Sequence, residues 1–141
     1  MELIEKSLEI ALRAYSGKKD KAGEPYILHP LRLMAKMHTS KEMAVALLHD
    51  VIEDSEITAK ELLENGIPQD VVDAVESLTK QPGETYIEFI ERAKLNKLAR
   101  KVKIADIEDN INLLRLKAVG QKDLDRVKKY HEAWGSLNES S

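Results

Sequence analysis

Apolar residues recur at every third or fourth position through almost the whole chain, and this period constrains the fold more than any other feature. Leu3, Ile4, Leu8, Ala11, Leu12 and Tyr15 form the first such stripe. Residues so spaced share one face of an α-helix. No segment alternates apolar and polar residues as a half-buried strand does, and no internal repeat or low-complexity tract appears. The punctuation agrees with this reading. Ser16-Gly17 ends the first helix, and a polar loop runs from Lys18 to Pro25. Pro30 suits the first turn of a second helix, where its missing N–H costs nothing. That places His29 at a helix N-terminus, with Leu31, Leu33, Met34 and Met37 beyond it. Ser40 is the expected N-cap of a third helix, which runs from Lys41 into an acidic stretch. Thr58 with Glu61 reads as a capping box, Asn65-Gly66 as a stop and Pro68 as the next start. Val71, Val72, Val75 and Leu78 form the following stripe, and Gln81-Pro82-Gly83 breaks it. Tyr86, Phe89 and Ile90 mark another helix, and residues 97–118 a longer one. After Gly120, Leu124, Val127, Tyr130 and Trp134 mark the last, before a polar tail. The expected fold class is all-α, a compact single-domain multi-helix bundle.

Bulk properties narrow the function. A chain of 141 residues is long enough for one domain and short for two; the expectation is a single domain over 1–141 with its core at about 7–134. Hydrophobic residues at 43% allow a real core, and charged residues at 33% with few Gly and Pro describe a globular chain. The net charge is −3 with both signs interspersed, so no nucleic-acid partner or membrane surface is expected. The absence of cysteine excludes disulfides, thiolate metal sites and cysteine nucleophiles. The N-terminal residues lack the basic start and apolar stretch of a signal peptide, and no segment reaches the length of a membrane span; a cytoplasmic location is expected. An all-helical surface with exposed Leu or Trp is able to support a homodimer.

Chemistry concentrates in two places. In "LLHDVIEDSE", residues 47–56, an apolar run leads into His49-Asp50 and then Glu53-Asp54. On one continuous helix His49 would stack on Glu53 and Asp50 on Asp54. Buried carboxylates are costly without partners, and no Lys or Arg lies between Glu42 and Ser55. A bound metal ion answers that need; an acidic helix end facing solvent is the alternative, weakened by its unfavourable place on the helix dipole. In the second place, Asp106, Asp109 and Asn110 share a face, and Val102, Ile104, Ala105, Ile107 and Ile111 surround Asp106. Asp106 is either liganded there or paired with Lys103 or Lys101. His38 and His131 read as surface histidines.

His29, His49-Asp50 and Asp106 follow the order of the metal ligands in the HD superfamily of metal-dependent phosphohydrolases, which this chain resembles. "GEPYILHP", "ALLHDVIEDSEIT" and "KIADIEDNI" resemble the hydrolase domain of RelA/SpoT-type alarmone enzymes, most of all the small stand-alone hydrolases. The likeness covers roughly Ser7 to Trp134. It implies an HD-type helical domain that binds one metal, usually manganese, through His29, His49, Asp50 and Asp106. A mixed nitrogen and oxygen set also suits other divalent transition metals. It further implies that Glu53 and Asp54 position and activate water, and that Lys21, Asn110 and Tyr130 contact a nucleotide. The implied reaction is removal of the 3′-pyrophosphate of guanosine 3′,5′-bispyrophosphate (ppGpp). Lys103, three residues before Asp106, is placed to offset phosphate charge. Two departures stand out. Asp20-Lys21 replaces the Arg-Lys pair whose Arg stacks on guanine, and Ile107, Glu108, Asp109 and Leu113 replace the usual residues around Asn110. An HD-type nucleotidase or phosphohydrolase for another nucleotide or phosphorylated cofactor is therefore the second expectation.

Overall fold

The computed structural model describes residues 2–139, so Met1 and the last two serines of the polar tail lie outside the described residues. Among these residues the chain forms nine α-helices: α1 (Leu3–Tyr15), α2 (Leu28–Ala35), α3 (Ser40–Leu48), α4 (Val51–Asp54), α5 (Ala59–Glu64), α6 (Gln69–Ser77), α7 (Tyr86–Lys94), α8 (Lys97–Asn110) and α9 (Gln121–Leu137). A 3-10 turn (Leu113–Arg115) follows α8. An isolated bridge between Lys19 and Pro25 closes the loop before α2. No described helix is long and apolar enough to cross a membrane.

α3 is the hub of the all-α bundle. Ala44, Val45, Ala46, Leu47 and Leu48 are wholly buried, because α1, α2, α6 and α8 all pack against it. A helix apolar on every side has no face for water, so whatever follows Leu48 is delivered into the interior. A smaller cluster of Phe89, Ile90, Ile107, Ala133 and Leu137 fastens α7, α8 and α9 together. Three expected stripe positions turn outward: Leu12 is 51% exposed, Leu124 49% and Trp134 37%. Their helices bury Ser7, Ile10, Ala11, Ala14 and Tyr15, and Ala133 and Leu137, instead.

Helix starts follow side-chain chemistry. Thr39, not Ser40, caps α3: its hydroxyl accepts from Glu42 N–H, and Glu42 reaches back to Thr39 N–H. Threonine stands three residues before that glutamate, which is the spacing the capping box needs. Thr58 caps α5 as expected, accepting from Glu61 N–H. Gly66 takes the positive φ of 87° that ends α5.

The third expected helix does not run unbroken into the acidic stretch. In a continuous helix Asp50 N–H would donate to Ala46 C=O. Here His49 Nδ1 occupies that carbonyl at 2.8 Å, and Asp50 N–H donates to the Tyr15 hydroxyl at 3.1 Å. Asp50 leaves helical geometry at φ −108°, ψ 6°, in the sparsely populated bridge region. The helix expected over 97–118 likewise stops at Asn110, and Asn112 caps the 3-10 turn through Leu114 N–H.

Candidate metal centre and adjoining cleft

The helix break aims two consecutive side chains into the interior. His49 is 2% exposed and Asp50 half-buried. His29, in the first turn of α2, arrives from one side and Asp106, on α8, from another. One donor atom each of His29, His49 and Asp50 lies within 4.8 Å of the others. Asp106 Oδ1 joins them, 2.8 Å from His29 Nε2 and 3.7 Å from His49 Nε2. His49 Nε2 lies 3.0 Å from Asp50 Oδ2. The four side chains expected to share a metal are thus brought together from three parts of the chain.

Both imidazoles are fixed through their other nitrogen. His49 Nδ1 donates to Ala46 C=O. His29 Nδ1 meets Asp109 Oδ2 at 2.6 Å. Such contacts hold the ring proton on Nδ1 and leave the Nε2 lone pair for a cation. His49 Nε2 is also a buried nitrogen without a well-aligned hydrogen-bond partner. It lies near Asp50 Oδ2 but at an angle unfit for a hydrogen bond, as a ligand atom beside a fellow ligand would. Two imidazole nitrogens with two carboxylates fit a divalent transition metal.

The electrostatics are those of a tightly coupled cluster. Burial disfavours the charged imidazole of His49, but Asp50 and Asp106 override it and push its pKa up to about 9. Burial would raise Asp106, yet Lys103, His29 and His49 hold it well below the usual carboxylate range. Lys103 Nζ contacts Asp106 Oδ2 at 2.8 Å. The lysine partner expected as the alternative for Asp106 is therefore present, and it takes the oxygen that the histidines do not. Glu53 and Asp54, on α4, stay open to solvent. Burial and then the charge of Asp50 raise both pKa values, and the charge of Asp54 raises Glu53 further. Glu53 also lines a small cavity of ≈ 30 Å³ with His49, Asp50, Phe89, Lys103 and Asp106.

On the other side of His29 opens a cleft of ≈ 390 Å³. Lys21, Asn110 and Tyr130 all line it, with Tyr26, Lys19, Arg32, Arg115 and Arg126. Asn110 donates to Asp106 Oδ1 at 3.0 Å. Asp20 lies at the cleft edge, where its carboxylate accepts from Ala22 and Glu24 N–H at 2.9 Å each and shapes the loop. His38 and His131 are exposed, as expected.

Sequence reasoning missed the support behind these groups. Asp109 accepts from Arg32 Nε and Nη2 at 2.8 and 2.9 Å and from Arg115 Nη1 at 3.3 Å while holding His29. The Tyr26 hydroxyl donates to Asp50 Oδ2, and Tyr15 packs edge-on against Tyr26 at 4.9 Å. Two signals were available: Asp109 shares the Asp106 face, and Arg32 stands one turn after His29.

A family model described as HD domain matches residues 7–116. The chain belongs to the HD domain family. Among curated relatives, this HD domain is 38% identical over 84 residues to a guanosine-3′,5′-bis(diphosphate) 3′-pyrophosphohydrolase of Vibrio cholerae, covering 57% of this chain and 12% of that one. It is 30% identical over 125 residues to a protein of the same name from Aquifex aeolicus, covering 80% of this chain and 18% of that one. The HD domain thus spans less than a fifth of the length of either relative. A solved structure, described as a metazoan ortholog of SpoT that hydrolyses ppGpp and plays a role in starvation responses, matches at a TM-score of 0.79 and 22% identity. The match covers 100% of this chain and 88% of that one, and shows the fold.

Proposed function

We propose that this HD domain is a manganese-dependent phosphohydrolase that removes the 3′-pyrophosphate of ppGpp in the cytoplasm. The observation that carries the reading is the convergence of His29, His49, Asp50 and Asp106 beside a cleft lined with lysine and arginine. Those four residues would hold the metal, which when bound polarises a phosphoryl oxygen and acidifies water. The chain's own residues supply the rest. Glu53 and Asp54 align the attacking water, and Glu53 accepts its proton; a raised carboxylate pKa suits that task near neutral pH. Attack at phosphorus breaks its bond to the ribose 3′ oxygen, which leaves with a proton, so GDP and pyrophosphate form. Lys21, Asn110 and Tyr130 hold the nucleotide in the cleft. The names of the two bacterial relatives support this substrate.

One observation favours a second substrate within the same chemistry. Asp20 presents a carboxylate at the cleft edge where the resemblance calls for a base-stacking arginine. Another nucleotide or phosphorylated cofactor would then be hydrolysed by the same groups. Product analysis with Mn2+ decides between them. Pyrophosphate from ppGpp is expected, and its absence, with orthophosphate from nucleoside monophosphates, would replace the first reading with the second. Glu53→Gln should keep the metal and lose turnover; turnover at the unsubstituted rate would remove Glu53 from its role.

A further inference from the structure

We infer that Lys103 is a positioning residue of the metal centre, its buried ammonium holding one oxygen of Asp106 so that the other faces the two imidazoles. The inference rests on the metal-centre reading above. The Asp106 carboxylate is divided between two tasks. Oδ2 accepts from Lys103 Nζ at 2.8 Å; Oδ1 faces His29 Nε2 at 2.8 Å and His49 Nε2 at 3.7 Å. Asn110 Nδ2 donates to Oδ1 at 3.0 Å, while among the described residues Lys103 is the one hydrogen-bond donor to Oδ2, so its removal frees that oxygen to turn toward a cation.

Lys103 is not a solvated surface lysine. Its side chain is 14% exposed, and its ammonium lies 5.2 Å from the centre of the Phe89 ring. A lysine is buried this far only when paired. The i, i+3 spacing on α8 makes the pairing a property of the helix itself. Lys103 also lines the small cavity that Asp50, Glu53 and Asp106 share. It brings from α8 the positive charge that residues 42–55 lack.

Two effects of this ammonium on metal binding have opposite signs. As a charge it repels a divalent cation, so its removal would tighten binding. As a fastener of Asp106 it aids binding, and losing the hydrogen-bonded partner of a ligand costs roughly 10- to 100-fold in affinity. The sign of the change therefore identifies the role.

The experiment uses the full chain, stripped with chelator, as the unsubstituted protein, Lys103→Met and Lys103→Arg. Mn2+ is titrated by calorimetry, and Co2+ binding is followed by visible absorption, which reports ligand number. Lys103→Met should bind Mn2+ about tenfold or more weakly and show an altered Co2+ spectrum, with Lys103→Arg restoring both. Equal or tighter Mn2+ binding by folded Lys103→Met, with an unchanged Co2+ spectrum, overturns the inference. If circular dichroism shows that Lys103→Met does not fold, Lys103→Gln is read by the same criteria. An unsubstituted protein that binds neither Mn2+ nor Co2+ would instead sink the metal-centre reading.

Discussion

Asp109→Asn changes almost no volume and removes one acceptor from the group that holds His29. The carboxylate takes hydrogen bonds on both oxygens: Oδ2 from His29 Nδ1 and Arg32 Nη2, Oδ1 from Arg32 Nε and Arg115 Nη1. An amide keeps one oxygen. Placed at the Oδ2 position, that oxygen satisfies His29, while the NH2 confronts two guanidinium donors that now sit at 2.8 and 3.3 Å. Placed at the Oδ1 position, it turns the NH2 toward His29 and forces the ring proton onto Nε2, the nitrogen facing Asp106. The first arrangement loses two charge-assisted bonds, each worth about 1.5–3 kcal/mol. The guanidiniums are 34% and 31% exposed, so water restores part of that. A net destabilisation of about 2–3 kcal/mol remains, which for a chain of this size lowers Tm by roughly 5–10 °C. Either arrangement should weaken metal binding by roughly 10- to 100-fold. Thermal melts with chelator and Mn2+ titration by calorimetry measure the two effects separately. Unchanged melting together with unchanged Mn2+ affinity would refute the claim that Asp109 orients His29.

Tyr26→Phe deletes the hydroxyl that donates to Asp50; a stability loss of about 1 kcal/mol is expected, with weaker Mn2+ binding, checked by denaturant unfolding and titration. Glu84 is held near pKa 2 by hydrogen bonds from Arg92 and from Gln81 N–H, below its ordinary 4.5. A lowered carboxylate pKa stabilises the fold above the ordinary value, and that contribution is lost as pH falls through the folded one. The Tm difference between the unsubstituted protein and Glu84→Gln should therefore be full at neutral pH, shrink below pH 4.5 and close near pH 2; a constant difference down to pH 3 would contradict this. Removal of metal should destabilise the protein: Mn2+ at about 100 times its Kd adds about 2.7 kcal/mol to the folded state, and identical melts with Mn2+ and with chelator would contradict it.

The helical period and the turn residues made the all-α class legible, because a helix that buries one face must repeat its apolar residues at that spacing. Three of the four candidate ligand positions were legible for another reason: His49, Asp50 and Asp106 sit inside apolar runs, where a charged group needs a partner, whereas His29 stood out only through the resemblance. The break after Leu48 was not. It depends on Tyr15 accepting the Asp50 amide from another helix, and no local pattern around residue 50 reports that contact. Asp109 was visible on the Asp106 face, but its task is set by Arg32 and Arg115, one from α2 and one from the 3-10 turn. Leu12 and Leu124 illustrate the opposite limit, since the period gives a stripe and only packing chooses which edge of it is covered.

The charges of this centre also explain why it cannot exist before the fold does. Residues 42–55 carry His49, Asp50, Glu53 and Asp54 without one lysine or arginine. Positive charge reaches them from elsewhere: Lys103, on α8, offsets the charge of Glu53, and Lys18, from the loop after α1, offsets that of Asp54 and reaches its carbonyl with its ammonium. Asp106 and Asp109 are similarly balanced by groups from α2 and the 3-10 turn. Each carboxylate is costly to bury until its distant partner arrives, and the partners arrive only when α2 and α8 have docked on α3. Burial of the apolar faces of α3 must therefore supply the driving force that brings like charges together. The same packing that makes α3 a core helix is what positions the acids and imidazoles at its end.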